Sequence, residues 1–303
     1  PLAPLPMHPA SHVFHYASTC FEGFKAYRWK DGKARIFRLH DHVARMQRSA
    51  ASLHLPVPDA EQLANMVIDL VRMELDNIPE PPSSLYLRPT LIGTLPNIGA
   101  AAAPSTEATL FVLASPVGDY FAGGAKPLKL LVEENRARST EQLGSTKTGG
   151  NYAGALGPTL AAKEQYGVDQ VLFCPHGDVQ ETGAANFLLL SDDEIVTKAL
   201  DTSFLHGMTR ASFLTLANDL GYRVNERNFT VKELLEWVGS YEAALSGTAA
   251  TLTPVGVLVY KGEEILVRDG AGGPNVEKLR DALQAIQYGD AADTHGWLTE
   301  VSQ

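Results

Sequence analysis

The segment Gly144-Ser145-Thr146-Lys147-Thr148-Gly149-Gly150-Asn151-Tyr152 constrains this chain more than any other. It sets a lone lysine among small side chains, with a glycine pair and a tyrosine close behind. Glycines there let backbone or ligand come close. Most lysines lie on solvated faces at the ends of long stems. A desolvated one loses its proton more readily and can form a Schiff base with a carbonyl. The alternative is a Gly-rich surface turn that contains a lysine, and the segment alone does not choose between them.

The chain has 303 residues, 45% hydrophobic and 20% charged, enough for one or two substantial cores. At that length two domains are expected. A net charge of -10 and a pI near 5.4 argue against nucleic acid or an anionic membrane surface as the main partner. Cys20 and Cys174 lie far apart, in no CxxC and no Cys/His cluster. Neither a disulfide framework nor a metal site is therefore expected, and a reducing cytoplasm is the simplest setting. No apolar run approaches the roughly 20 residues needed to span a bilayer, and no signal-peptide pattern is visible.

Periodicity makes the first third mixed α+β. Strands are expected at His12–Tyr16 and Gly23–Trp29, the latter turning at Asp31-Gly32 into Ala34–Leu39. Asp41 and Asp59 are placed to cap helices over His42–Leu53 and Ala60–Leu75. Further strands are expected at Leu85–Ile92, Thr109–Ser115, Leu128–Val132, Gln170–Cys174, Asn186–Leu190 and Glu242–Leu245. Helices are expected at Ala153–Tyr166, Arg210–Leu220 and Val231–Trp237. The Gly- and Pro-bearing stretch Gly118–Pro127 reads as a linker.

Four clusters carry chemistry that could accompany Lys147. Glu181 sits in Gln180-Glu181-Thr182-Gly183-Ala184-Ala185-Asn186, a tight turn between strands. It is either solvated, as most acids are, or a partner that keeps a ring nitrogen protonated. Gly207-Met208-Thr209-Arg210 enters a helix and offers N–H groups to phosphate, or is an ordinary cap. Ser246-Gly247-Thr248-Ala249 repeats that small-plus-hydroxyl pattern after a strand. Arg45, in His42-Val43-Ala44-Arg45-Met46, points either inward from an amphipathic helix or out to solvent. A Schiff-base lysine, an acid for a pyridine nitrogen and anion cradles with an arginine are the parts a pyridoxal phosphate enzyme needs.

In that order, the motifs resemble the branched-chain amino acid aminotransferases, a fold-type IV pyridoxal phosphate family. The resemblance runs through Phe21-Glu22-Gly23, Tyr86-Leu87-Arg88-Pro89, Ser115-Pro116-Val117-Gly118 and Lys147-Thr148-Gly149-Gly150-Asn151-Tyr152. It continues through Glu181–Asn186, Gly207–Arg210, Ser246–Ala249 and Ile286-Gln287-Tyr288-Gly289. It implies an α+β fold like that of D-amino acid aminotransferase. A small α/β domain would cover residues 1–120, a linker 121–127, and a larger, β-rich cofactor domain 128–303.

The resemblance also implies roles. Lys147 corresponds to the lysine that carries pyridoxal 5'-phosphate as a Schiff base and moves the proton between substrate Cα and cofactor C4′. Glu181 corresponds to the partner of the pyridine nitrogen. Arg45, Thr209, Thr248 and the backbone N–H of Met208 correspond to phosphate ligands, and Tyr152 to the tyrosine at the phenolic oxygen. Tyr16, Phe21, Tyr86 and Tyr120 would line an apolar pocket suited to Leu, Ile and Val. Thr248 and Ala249 would offer N–H groups to the substrate α-carboxylate, and Arg88 would reach the distal carboxylate of glutamate. The implied reaction is ping-pong transamination with 2-oxoglutarate by a cytoplasmic homodimer.

Departures accompany the match. Arg136 and Arg138 bracket the spacing at which the family carries an arginine before the lysine, so neither is assigned. Ala250 and Thr253 stand where mammalian members carry a cysteine pair. The start of the small domain, with a pocket aromatic found in relatives, is expected to be missing. D-amino acid aminotransferases and aminodeoxychorismate lyases share the lysine and the glutamate. Phe21-Glu22-Gly23 and Tyr86-Leu87-Arg88-Pro89 argue against both. A binding protein that had lost turnover would lack Lys147 or Glu181, and both are here.

Overall fold

The computed structural model describes residues 3–99, 103–118 and 126–303. The chain packs as two units. The first comprises Pro1–Val117, Thr146–Gly150 and His295–Gln303; the second comprises Gly118–Ser145 and Asn151–Thr294.

In the first unit a helix α1 (His12–Tyr16) precedes strands β1 (Thr19–Phe21), β2 (Phe24–Arg28) and β3 (Ala34–Phe37). Helices α2 (Leu39–Ser52) and α3 (Ala60–Met73) follow, then the long strands β4 (Ser84–Gly93) and β5 (Ala108–Val117). The order is β1-β4-β2-β3 and then the C-terminal strand (Leu298–Val301), with β5 also paired to β4. Leu39, Val43 and Met46 of α2 and Leu63, Val67 and Val71 of α3 share one core with Phe24, Ile36, Leu85 and Leu87 of the strands. Burying each such side chain contributes roughly 1.5–3 kcal/mol, which is what holds both helices to the sheet.

Two local expectations fail here. His12–Tyr16 is a turn of helix rather than a strand, closed by Ala17 in the left-handed region at φ 51°. The buried His12 ring bonds Ser18 Oγ at 2.9 Å and the Ala103 carbonyl at 3.1 Å, tertiary contacts that a period-two pattern cannot reveal. Asp41 lies inside the first turn of α2, which starts at Leu39 after Arg38, and accepts from Arg38 Nε at 2.7 Å. Asp59 does cap α3, accepting from Gln62 N at 2.8 Å.

The second unit begins its regular structure with β6 (Leu128–Glu133), followed by α4 (Gly149–Tyr166), whose first two residues group with the first unit. Strands β7 (Gln170–Phe173), β8 (Glu181–Thr182), β9 (Asn186–Leu190) and β10 (Glu194–Thr197) come next. Then follow α5 (Met208–Asp219), β11 (Arg223–Glu226), α6 (Val231–Val238), β12 (Glu242–Gly247), β13 (Thr251–Tyr260), β14 (Glu263–Leu266) and α7 (Pro274–Tyr288). The C-terminal strand of the first unit is thus β15.

The sheet runs β11-β10-β9-β12-β13-β6-β7-β8. The pairing of Glu181 with Asn186 joins β8 back to β9, so part of the sheet closes into a ring. A closed sheet has no exposed edge along that seam and holds its members rigidly. The closing bridge contains the very glutamate singled out above. Of the expected linker, only Gly118, Lys126 and Pro127 lie within the described residues.

Candidate active site

In the first unit Lys147 is set by its backbone. Its carbonyl accepts from Phe21 N at 3.1 Å, and its N–H donates to Ser49 Oγ at 3.0 Å. The next residue donates from Thr148 Oγ1 to the Thr19 carbonyl at 2.7 Å. The lysine segment therefore packs with β1 and α2, although the sequence placed it in the larger domain.

α2 turns an unusual face toward it. His42, Arg45 and Ser49 follow helical spacing, and all are buried. His42 and Arg45 gather around Glu22, which is only 1% exposed. Arg45 donates from Nε to Glu22 Oε1 at 2.7 Å and from Nη2 to Oε2 at 2.8 Å. His42 Nδ1 lies 2.6 Å from Glu22 Oε2, and its ring stacks on Phe24 at 4.6 Å. Burial opposes ionisation of Glu22. Arg45 and then His42 overcome that and hold the carboxyl well below its usual range. For His42, burial is the largest influence and lowers the pKa against the pull of Glu22, with Arg45 and Lys147 lowering it further. The imidazole is therefore neutral near pH 7, its Nδ1–H donating to Glu22.

These charges bear on the amine. The residue Lys147 keeps some surface accessible, yet the dense surroundings of its amine pull the pKa from 10.5 to about 8. Burial acts first and the Arg45 guanidinium second; Arg88 adds to them, while Glu22 and Tyr86 act the other way. Lys147 Nζ stands 4.8 Å from the centroid of the Phe21 ring, and the Arg88 guanidinium stands 4.6 Å from the same ring. Arg88 Nη2 donates to Tyr86 Oη at 2.7 Å. Gly23 makes room for that hydroxyl, since a Cβ there would lie 2.0 Å from Tyr86 Oη. Arg88 Nε is buried and has no hydrogen-bond partner among the described residues. Tyr16 lies on α1, where its hydroxyl accepts from Gly99 N at 2.8 Å. Tyr120 lies outside the described residues.

In the second unit Glu181 is 2% exposed and held from several directions. Arg138 Nε lies 2.7 Å from Oε1, Leu205 N donates to Oε1 at 2.8 Å, and Asn186 Nδ2 donates to Oε2 at 3.1 Å. Arg138 Nη2 also donates to the Gly144 carbonyl at 2.9 Å, tying the acid to the loop that leads toward the lysine. Of the two unassigned arginines, the structure thus gives Arg138 to Glu181.

Gly207 caps α5 with no side-chain bond to the helix, and a Cβ on it would meet Asn186 Oδ1 at 2.0 Å. The first amides of this 12-residue helix belong to Met208 and the buried Thr209. Arg210, by contrast, is structural: it donates to the Lys198 carbonyl at 2.7 Å and to Glu226 at 2.8 Å. Thr248 and Ala249 lie in the turn between β12 and β13 and line a cavity of about 240 Å³ with Thr182, Ala184 and Gly247. Ser246 Oγ, just before that turn, is buried without a hydrogen-bond partner among the described residues. Tyr152 is half-buried on α4. A larger cavity, about 310 Å³ between β6, α4 and the β13–β14 turn, includes none of these residues, so chemistry rather than size marks the site.

Taken unit by unit, the residue types suit pyridoxal phosphate: the first holds an amine of lowered proton affinity, and the second a buried carboxylate, a helix N-terminus with a glycine cap and a hydroxyl-lined cavity. Among the described residues no group of three or more His, Cys, Asp or Glu could hold a metal. Both cysteines are buried and unbridged, and burial with Glu22 nearby pushes Cys20 up to about 12, so neither is an activated thiol. Sequence reasoning gave no role to Glu22, His42, Ser49, Arg138 or Asn186. For His42 and Ser49 a signal existed: polar residues three before and four after Arg45, on the face where a core helix should be apolar.

Known proteins match this arrangement over nearly the whole chain. The family description Amino-transferase class IV matches residues 19–257. Branched-chain-amino-acid aminotransferase 2 of Bacillus subtilis is 37% identical over 310 aligned positions, covering 100% of this chain and 85% of the relative. The branched-chain-amino-acid aminotransferase of Mycolicibacterium smegmatis is 36% identical, covering 100% of this chain and 85% of the relative. Among solved structures, a branched-chain amino acid aminotransferase with pyridoxamine 5'-phosphate, from the source abbreviated T.th., superposes with a TM-score of 0.84 at 28% identity, covering 97% of this chain and 93% of that one. The Escherichia coli branched-chain amino acid aminotransferase gives 0.83 at 27% identity, covering 98% and 94%. The chain belongs to the class IV aminotransferases and, within them, to the branched-chain amino acid aminotransferase family.

Proposed function

We propose that this protein transfers the amino group of L-leucine, L-isoleucine or L-valine to 2-oxoglutarate, with pyridoxal 5'-phosphate as cofactor. The carrying observation is Lys147, whose amine is brought to about 8 by burial and the neighbouring Arg45. Bound pyridoxal phosphate supplies an electron sink and a temporary acceptor for the amino group.

The residues supply the rest. Lys147 Nζ would hold the cofactor at rest and, when free, would act as the base and acid that moves the substrate Cα proton. An amine with a pKa near the working pH suits both directions of that transfer. Glu181, held by Arg138 and two N–H donors, would partner the pyridine nitrogen in this reading and favour its protonated form. Arg45, Thr209, Thr248 and the Met208 N–H would hold the phosphate, and Tyr152 would serve the phenolic oxygen.

On the substrate side, Phe21, Tyr86, Tyr16 and Tyr120 enclose the aliphatic chain. The N–H groups of Thr248 and Ala249 take the α-carboxylate. Arg88 would take the distal carboxylate of glutamate, and its buried Nε, without a partner among the described residues, supports that role. Of the cofactor ligands in this reading, Tyr152, Glu181, Met208, Thr209 and Thr248 belong to the larger unit, while Arg45 and Lys147 belong to the first. We place the enzyme in the cytoplasm as a homodimer. No helix among the described residues is long and apolar enough to cross a membrane. Leu156 and Leu160, one turn apart on α4 and 51% and 61% exposed, offer apolar surface to a second copy.

The test is an absorption spectrum of the cofactor-loaded protein before and after L-leucine. Conversion from the pyridoxal to the pyridoxamine form is expected, and 2-oxoglutarate should reverse it. A spectrum indifferent to leucine but responsive to D-alanine would overturn the substrate assignment.

A further inference from the structure

Glu22, His42 and Arg45 form a buried polar cluster. They are 1%, 2% and 4% exposed, and the His42 ring stacks on Phe24 of the neighbouring core. Such a cluster is a poor device for stability, because desolvating the ions costs about as much as their attraction returns. Apolar residues of similar size would serve the core as well. What the cluster does is fix one edge of a guanidinium.

We propose that Glu22 and His42 are positioning residues for Arg45 and Lys147. Glu22 clamps Arg45 by its Nε and Nη2 edge, and His42 locks the clamping carboxylate through Nδ1–H. The proposal rests on reading Arg45 as a phosphate ligand.

The geometry supports each step. A guanidinium is a planar fork, so two bonds on one edge determine where the Nη1 edge points. Both bonds are short, at 2.7 and 2.8 Å, and come from the two oxygens of one carboxylate. That carboxylate is itself held: His42 takes Oε2 at 2.6 Å, and Glu22 N donates to the Pro89 carbonyl at 2.9 Å. His42 stays in register by stacking on Phe24 at 4.6 Å. One turn further along α2, Ser49 Oγ accepts from Lys147 N at 3.0 Å, so a single helix face sets both the arginine and the lysine.

The charge on Glu22 also reaches the amine. The groups acting on Lys147 are Arg45, Glu22, Tyr86 and Arg88; those acting on His42 are Glu22, Arg45 and Lys147. Glu22 sets a carboxylate directly against Arg45, at 2.7 and 2.8 Å. Neutralising it leaves Arg45 uncompensated, and Lys147 then releases its proton at lower pH.

The experiment uses the full chain with two readouts. The first is the pH midpoint of Lys147 acylation by a trace of acetic anhydride, read by peptide mass spectrometry after the cofactor is removed. The second is the equilibrium affinity for pyridoxal phosphate. Glu22→Gln is expected to move the acylation midpoint below its wild-type value near 8. It should also weaken cofactor affinity about tenfold or more, the scale of one lost charge-assisted contact. His42→Asn, whose amide can donate from nearly the same place, should keep both readouts close to wild type, whereas His42→Ala should move both in the direction of Glu22→Gln. If Glu22→Gln does not fold, Glu22→Asp replaces it: it keeps the charge but shortens the reach, so affinity falls while the midpoint stays.

Wild-type values of midpoint and affinity in the Glu22 variants would overturn the proposal. Equal damage from His42→Asn and His42→Ala would remove His42 from it. Failure of the wild-type protein to bind pyridoxal phosphate would overturn the proposed function instead, and the acylation midpoint would still test the effect of Glu22 on Lys147.

Discussion

Two buried glutamates, each gripped by an arginine, are built in opposite ways. Glu22 receives Arg45 and His42 from adjacent turns of α2. Glu181 receives Arg138, Leu205 N and Asn186 from three separate stretches of chain. The first is a local clamp, complete once one helix lies on its sheet. The second exists only when the ring of strands has closed, since Asn186 is also the bridge partner of Glu181. Glu22 therefore ties its charge to a nearby lysine, while Glu181 ties its charge to the integrity of its whole unit.

The largest effect separates the two regions outright. Lys147→Ala should abolish transamination of L-leucine, measured by formation of the 2-oxo acid, because it removes the amine proposed to carry both the cofactor and the proton. Retained turnover would dismiss the assignment. The second region should nevertheless stay folded, with urea unfolding no weaker than wild type.

Glu181→Ala should fail differently. It strands Arg138 as a buried charge, for which a loss of roughly 3–5 kcal/mol in unfolding free energy is expected. Glu181→Gln keeps the acceptor for Leu205 N and should cost much less stability while slowing turnover. If both variants cost the same stability, the charge paired with Arg138, rather than the acceptor for Leu205 N, is what holds the site.

Smaller still is a pH effect confined to the first region. Folding takes Lys147 from 10.5 to about 8, a lowered pKa, so the native state binds fewer protons between those values. Stability should rise with pH across that window, and the penalty for the charged amine, at most roughly 3 kcal/mol, is complete below pH 8. In cofactor-free protein Lys147→Met should therefore be the more stable at pH 7, its advantage fading as pH approaches 10.5. Glu22 works at the other end. Its carboxyl is held low, so its contribution is present above 4.5 and is lost as pH falls further. Urea midpoints across pH would reveal both limbs, and a flat difference between wild type and Lys147→Met would deny the burial of the amine.

What the sequence disclosed follows the same division. The Asp59 cap, the strand at Leu85–Ile92 and the hairpin at Asp31-Gly32 depend on neighbours a few residues away, and pattern was enough to find them. Lys147 and Glu181 became candidates only through the order of motifs, because each motif alone has an ordinary reading. The partners of Glu181 were illegible: Arg138 and Leu205 are 43 and 24 positions away, joined only by tertiary closure. His42 lay within reach of inspection, yet a histidine beside an arginine on an amphipathic helix reads as surface until Glu22 is seen to need it. The helix at His12–Tyr16 was misread because its decisive contacts, Ser18 and Ala103, are outside any local window.

The finest test concerns what Arg88 reads. Its guanidinium lies against Phe21, its Nη2 is committed to the Tyr86 hydroxyl, and its Nε is buried without an acceptor among the described residues. An unsatisfied buried donor is costly, so an incoming carboxylate that supplies the acceptor gains more than one meeting a solvated arginine. Glutamate and 2-oxoglutarate bring such a carboxylate, and leucine does not. Arg88→Ala should raise the KM for 2-oxoglutarate about tenfold, the equivalent of one charge-assisted bond, and change that for leucine much less. Some loss toward leucine is expected, because Phe21 loses the group packed on it. Steady-state kinetics with both substrates decide the matter, and matching losses would show that Arg88 merely braces Phe21 and Tyr86.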